Sequence, residues 1–165
     1  MKRPLLLLFS CLALFFFGAQ AHAATVEALD LTALTQAADE VFVAEAVAAD
    51  VHRDARGRIV TDVRVRVAES LLGERAAGEE VVLRCLGGSL DGIGMRVPGE
   101  AQLAVGETAL VFARRADGGW LRAVGMSQGV LPMRAGAQGW LVEPGGAGLS
   151  LVRRSGAGRL LRAAP

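Results

Sequence analysis

The sharpest pattern along the chain lies over residues 58–68, where Thr61, Val63, Val65 and Val67 alternate with Asp62, Arg64 and Arg66. A period of two sends the valines to one face of a β-strand and the charges to the other. The preceding run, 40–51, is apolar at both parities. Val41, Val43 and Val47 share one face and Phe42, Ala44 and Ala46 the other, which predicts a strand buried on both sides. Between them, residues 52–57 (HRDARG) are polar and end in glycine, a connection of hairpin length, so the two strands are expected to pair antiparallel. Leu71, Leu72 and Gly73 close the second strand, and Gly78-Glu79-Glu80 leads into a third at 81–86.

Beyond this the texture changes. Gly87, Gly88, Gly92, Gly94 and Gly99 predict a shaped loop across a barrel end, with Asp91-Gly92 as a turn and a short strand at 95–97. A strand at 109–113 follows the turn at Gly106-Glu107, and Asp117-Gly118-Gly119 turns the chain into another at 120–124. Shorter strands are expected at 129–133, 140–143 and 149–152. The one helical signal is Asp30, an N-cap residue, followed by Leu31, Leu34 and the alanines to Ala38. That gives a two-turn helix expected to plug one end of a sheet. Many short strands with turn chemistry between them predict an all-β fold, a small closed or partly open antiparallel barrel (OB-like) with one short N-terminal helix. Barrel closure is favoured over a sandwich because it removes the edges that so apolar a first strand would expose. The domain is expected to span 24–154, with a flexible tail over 155–165.

Residues 1–23 read as a signal peptide. Lys2 and Arg3 precede an apolar run over 5–17, and Ala21 and Ala23 satisfy the A-x-A rule, with Ala19 and Ala21 as a second option. Cys11 lies inside the apolar run, which excludes a lipobox. The run is also shorter than the roughly 20 residues a spanning helix needs. The expected location is the periplasm or the medium, with no membrane insertion after cleavage.

Loss of Lys2 and Arg3 from 18 basic residues leaves 16 against 17 acidic ones, a net charge of −1. That excludes a nucleic-acid footprint. The distribution is uneven, because residues 108–165 hold 8 arginines against 2 acidic groups. One consequence is a basic face for an anionic partner, the other a barrel that interleaves the halves and cancels the field. Once Cys11 leaves with the signal, Cys85 has no partner for an intramolecular disulfide. It shares a strand face with Val81 and Leu83, the pattern of a buried, inert thiol.

The segments ADEVFVAEAV at 38–47, GRIVTDVRVRV at 57–67, LLG at 71–73, GGSLDGIGMRVPGE at 87–100, VGE at 105–107 and VGMSQG at 124–129 resemble a group of small exported bacterial proteins of unassigned function. The similarity covers about residues 28–135. The first two strands also resemble the opening of OB-type barrels such as the netrin-like module of tissue metalloprotease inhibitors. Those inhibitors present Cys-x-Cys to the protease zinc, whereas this chain reads Ala24-Thr25-Val26 at the corresponding point, so their mechanism is not carried over.

Catalytic chemistry has little to draw on: after signal removal there is one histidine, His52, one cysteine and no G-x-S-x-G motif. Asp50, His52 and Asp54 have the spacing for a shared strand face and could ligate zinc. The same residues are ordinary solvated loop chemistry, and neither a metal nor a cofactor is expected. Glu79 and Glu80 are adjacent and point to opposite faces, which excludes a glycosidase pair. The glycine loop opens no helix and lacks lysine, so it is not a phosphate cradle. Its functional reading is a recognition surface in which Met95 and Arg96 join Met126, Ser127 and Gln128 at one barrel end, with Arg96 and Gln128 at least partly exposed. The expected function is binding to another exported protein, such as a secreted protease. The alternatives are an exported hydrolase or a structural envelope component.

Overall fold

The run that is apolar at both parities and the alternating run after it become the two longest strands of a computed structural model, which describes residues 24–137, 139–155 and 159–163. In chain order the elements begin with β1 (Ala24–Glu27), α1 (Leu31–Ala37), β2 (Glu40–Arg53), β3 (Ile59–Leu72), β4 (Glu80–Leu90) and β5 (Ile93–Arg96). They continue with β6 (Thr108–Arg115), β7 (Leu121–Ala123), a 3-10 turn (Met126–Gly129), β8 (Val130–Gly136), β9 (Gly139–Val142), β10 (Leu149–Arg154) and β11 (Leu160–Arg162).

Five strands close into a barrel in the order β2-β3-β4-β7-β6, with β6 returning to pair with β2. The fold is therefore all-β and barrel-like with one short helix. The barrel is mixed rather than wholly antiparallel, because β7 runs parallel to β4. That contact is a single register pair, Leu83↔Leu121, so the β4–β7 seam is thin. β7 and β8 pair with successive parts of β6, Ala113–Arg115 and Thr108–Val111, and the 3-10 turn interrupts what is otherwise one continuous path.

The barrel interior holds Phe42, Ala44 and Ala46 from β2, Val63, Val65 and Val67 from β3, Val81, Leu83 and Cys85 from β4, and their counterparts on β6. Asp62, Arg64 and Arg66 stay outside, as the alternation requires. The second apolar face of β2 is also buried, but against something else. Val41 and Phe112 have the opposite parity to Phe42 and Val111, and they join Leu34 of α1, Val124 and Leu131 in a separate cluster outside the barrel. The helix thus covers an outer face of β2 and β6 and does not plug a sheet end. Its start follows the sequence reading: Ala33 N–H donates to Asp30 Oδ1 at 2.8 Å.

The glycine segment is more regular than expected. β4 runs on through Gly87 to Leu90 and folds back on β5 through a two-residue turn at Asp91-Gly92, both at positive φ, the hairpin geometry such a pair favours. Gly87 is required there, since a Cβ would sit 2.6 Å from Met95 O. Two strands fall outside the sequence expectation. β1 pairs parallel with β10, and β11 pairs antiparallel with β10. Residues 160–162 are thus a paired strand within the stretch expected to be a flexible tail. Residues 1–23, where a signal peptide is expected, and residues 156–158 and 164–165 lie outside the described residues. Among the described residues no helix is long and apolar enough to cross a membrane.

Candidate functional site

A cleft of about 500 Å³ opens along the thin seam where β4 meets β7. Its walls carry four arginines, Arg58, Arg84, Arg114 and Arg122, together with Trp120 and Glu100. Arg84 lies on the outer face of β4 because its neighbours Leu83 and Cys85 point into the barrel. Opposite it on β3 stands Asp62, and the guanidinium forms a two-pronged bridge, Nε to Oδ1 at 2.6 Å and Nη2 to Oδ2 at 2.7 Å. Those hydrogen bonds hold Arg84 above its ordinary pKa. The same guanidinium sits 4.8 Å from the ring centroid of Trp120, within cation–π range. Cation and indole therefore form one fixed wall.

Arg58 is neutralised by Asp54, with Nη2 and Oδ2 2.7 Å apart. Arg58, with the backbone N–H groups of Arg58 and Arg56, holds the Asp54 carboxyl below its usual range and pins the β2–β3 turn. Arg114 and Arg122 differ. They are register partners across β6 and β7, and neither has an ion-pair partner among the described residues. Arg114 donates through Nε to Ala37 O, in the last turn of α1. On another wall, burial pushes Glu100 above the ordinary carboxylate range, with the backbone of Leu86 and Ala101 pulling the other way.

The sequence-selected residues do not assemble into one surface. Met95 and Arg96 line a second groove beside the β4–β5 hairpin, whereas Met126 lines the arginine cleft. Arg96 is exposed and Met95 and Met126 are half-buried. Ser127 and Gln128 are buried, against expectation, because the 3-10 turn directs both inward to bond backbone. Ser127 Oγ donates to Ala147 O at 2.9 Å, and Gln128 accepts from Leu29 N–H and donates to Glu27 O. Arg96 and Ser127 do share a smaller groove beside residues 144–148.

His52 lies between Asp50, 3.3 Å from Nδ1, and Asp62, 3.7 Å from Nε2. Asp54 is turned away to Arg58, so the i, i+2, i+4 set does not converge. Glu79 binds Arg75 and Glu80 binds Arg66, as surface charges do. Cys85 is buried among the barrel residues, and burial, with Glu100 and Asp62 nearby, pushes its thiol up to about 12.

Sequence reasoning detected the arginine excess of 108–165 but not the cleft, because Arg58 and Arg84 come from the acidic half. The available signal was the parity of Arg84 and Asp62, each opposite to the apolar face of its strand; that the two strands are neighbours comes from the structure. No family model matches the chain, and no curated protein or solved structure does so either.

Proposed function

We propose that this chain is an exported β-barrel binding module that docks onto another secreted or envelope protein through the arginine-lined cleft. The observation that carries the reading is the stacking of Arg84 on Trp120 over a rigid barrel wall. Tryptophan and arginine are the side chains that most often dominate protein–protein binding energy, and they do so when held in place before the partner arrives. Here Asp62 fixes the guanidinium, the guanidinium fixes one face of the indole, and neither has to be ordered on binding. Export rests on the basic start, apolar run and A-x-A sites of residues 1–23.

The test is expression of the tagged full chain in the producing organism, followed by recovery from envelope and medium. The parent is expected to bring down a partner protein, and Trp120→Ala, with an unchanged melting temperature, is expected to lose it. Retention of the chain in the cytoplasm removes export. Recovery of the same proteins by both forms removes the cleft as the docking site.

A further inference from the structure

Arg114 and Arg122 face one another across an antiparallel pair, which sends both side chains off the same face of the sheet with Cβ atoms about 5 Å apart. Like charges in that position destabilise a strand pair. Elsewhere in the cleft the charge is spent: Arg58 is bridged to Asp54 and Arg84 to Asp62. Glu100, on the same cleft, has no ion pair with a guanidinium among the described residues. Positive charge is therefore concentrated at this one pair. A local rule is broken there with no anionic partner among the described residues, which is where function is expected to lie.

We infer that Arg114 and Arg122 together seat a carboxylate of the docked partner, an Asp or Glu side chain within an acidic and partly apolar segment. This rests on the reading of the cleft as the docking site. A guanidinium offers paired N–H donors in the plane that a carboxylate accepts. One carboxylate between the two arginines relieves their repulsion, so binding removes a cost that the free protein carries. Arg114 has Nε committed to Ala37 O, which leaves its Nη groups as donors. Leu29, Leu86, Val124 and Met126 line the same cleft and give an aliphatic neighbour of the acid a surface to cover. A phosphate would meet the charges but leave that apolar wall unused.

The experiment uses the full chain carrying Trp140→Phe, which leaves Trp120 as its only tryptophan and a fluorescent reporter of the cleft. It is titrated at low salt with a capped Leu-Glu-Leu-Glu peptide and, separately, with inorganic phosphate. A saturable change with the peptide is expected. It should weaken about tenfold or more in Arg122→Thr, and phosphate should compete poorly. Without peptide, Arg122→Thr is expected to melt no earlier than its parent, because the repulsion is gone. Equal peptide binding by Arg122→Thr, equal competition by phosphate, absence of peptide binding or early melting of Arg122→Thr each overturns the inference. An envelope partner lost on Trp120→Ala but retained by Arg122→Thr overturns the carboxylate seat and leaves the docking reading standing. Arg122-dependent peptide binding with no such partner does the reverse.

Discussion

The carboxylate of Glu40, fully buried at the start of β2, is gripped by Arg75, whose Nε lies 2.8 Å from Oε2 and Nη2 3.0 Å from Oε1. Arg115 closes on the same carboxylate from the end of β6, and Arg75 also holds Glu79 at 2.6 Å. One acid thereby ties the start of the first barrel strand to the β3–β4 connection and to the strand that closes the barrel. Burial opposes ionisation of Glu40, but the hydrogen bonds from Arg75 and then Arg115 outweigh it and hold the carboxyl below its usual range.

That balance gives a pH dependence of defined sign. A carboxyl with a depressed folded pKa contributes stability that is fully present above its unfolded value, about 4.5, and is lost as pH falls through the folded value. Urea titrations from pH 7 downward should show stability falling below pH 4.5, and Glu40→Gln should flatten that limb. At pH 7, Arg75→Ala should cost about 3 kcal/mol, since it strips a buried charge of its main partner. A loss under about 0.5 kcal/mol would place the cluster among ordinary surface ion pairs.

Glu100 should respond in the opposite direction. Its folded pKa is raised by burial, so the native state holds the proton more tightly than the unfolded chain. Stability then falls as pH rises from 4.5 through the folded value. Glu100→Gln removes the half-buried charge. The variant is expected to melt a few degrees higher at pH 7 and at the parent's temperature at pH 4. The same shift at both pH values would mean that packing, not charge, is responsible.

What was legible in the sequence was whatever leaves a local trace. The alternation of Thr61, Val63, Val65 and Val67 is repeated every two residues, and the Asp30 cap sits beside the helix it starts. β1 leaves no such trace: Ala24–Glu27 is four residues long, and its partner, from Leu149 to Val152, is at the other end of the chain. Glu40 reads as the polar end of a strand, because its partners, Arg75 and Arg115, are 35 and 75 residues away. The cleft was half legible for the same reason. The arginine excess of 108–165 is a local count, whereas the meeting of Arg84 with Trp120 depends on the single parallel contact between β4 and β7.

Cys85 tests the inward register of β4. Residues 81, 83 and 85 share the barrel face, and burial, aided by the charges of Glu100 and Asp62, pushes the thiol up to about 12, which leaves almost no thiolate at neutral pH. Labelling by a thiol reagent at pH 7 should be slow in the native protein and fast in denaturant. Fast native labelling, or a disulfide-linked dimer on non-reducing gels, would put the side chain on the outer face.

Gln128 and Arg96 share the same expectation from sequence and have opposite environments in the structure. Gln128 Oε1 accepts from Leu29 N–H at 2.8 Å, and Nε2 donates to Glu27 O at 3.2 Å and Gly125 O at 3.3 Å. This one amide ties the segment between β1 and α1 to the 3-10 turn 99 residues away. Gln128→Ala leaves those backbone groups without their partner and should cost about 1–3 kcal/mol. Arg96 is exposed and has no ion pair among the described residues, so Arg96→Ala should stay within about 0.5 kcal/mol of the parent. Gln128→Glu discriminates further: it keeps the acceptor for Leu29 but gives up both donors, setting a carboxylate against the carbonyls of Glu27 and Gly125. It should melt earlier than the parent, and hydrogen exchange in both Gln128 variants should quicken first over Ala24–Leu29. Parent-like stability in Gln128→Ala and Gln128→Glu would return the residue to the surface role that the sequence assigned it.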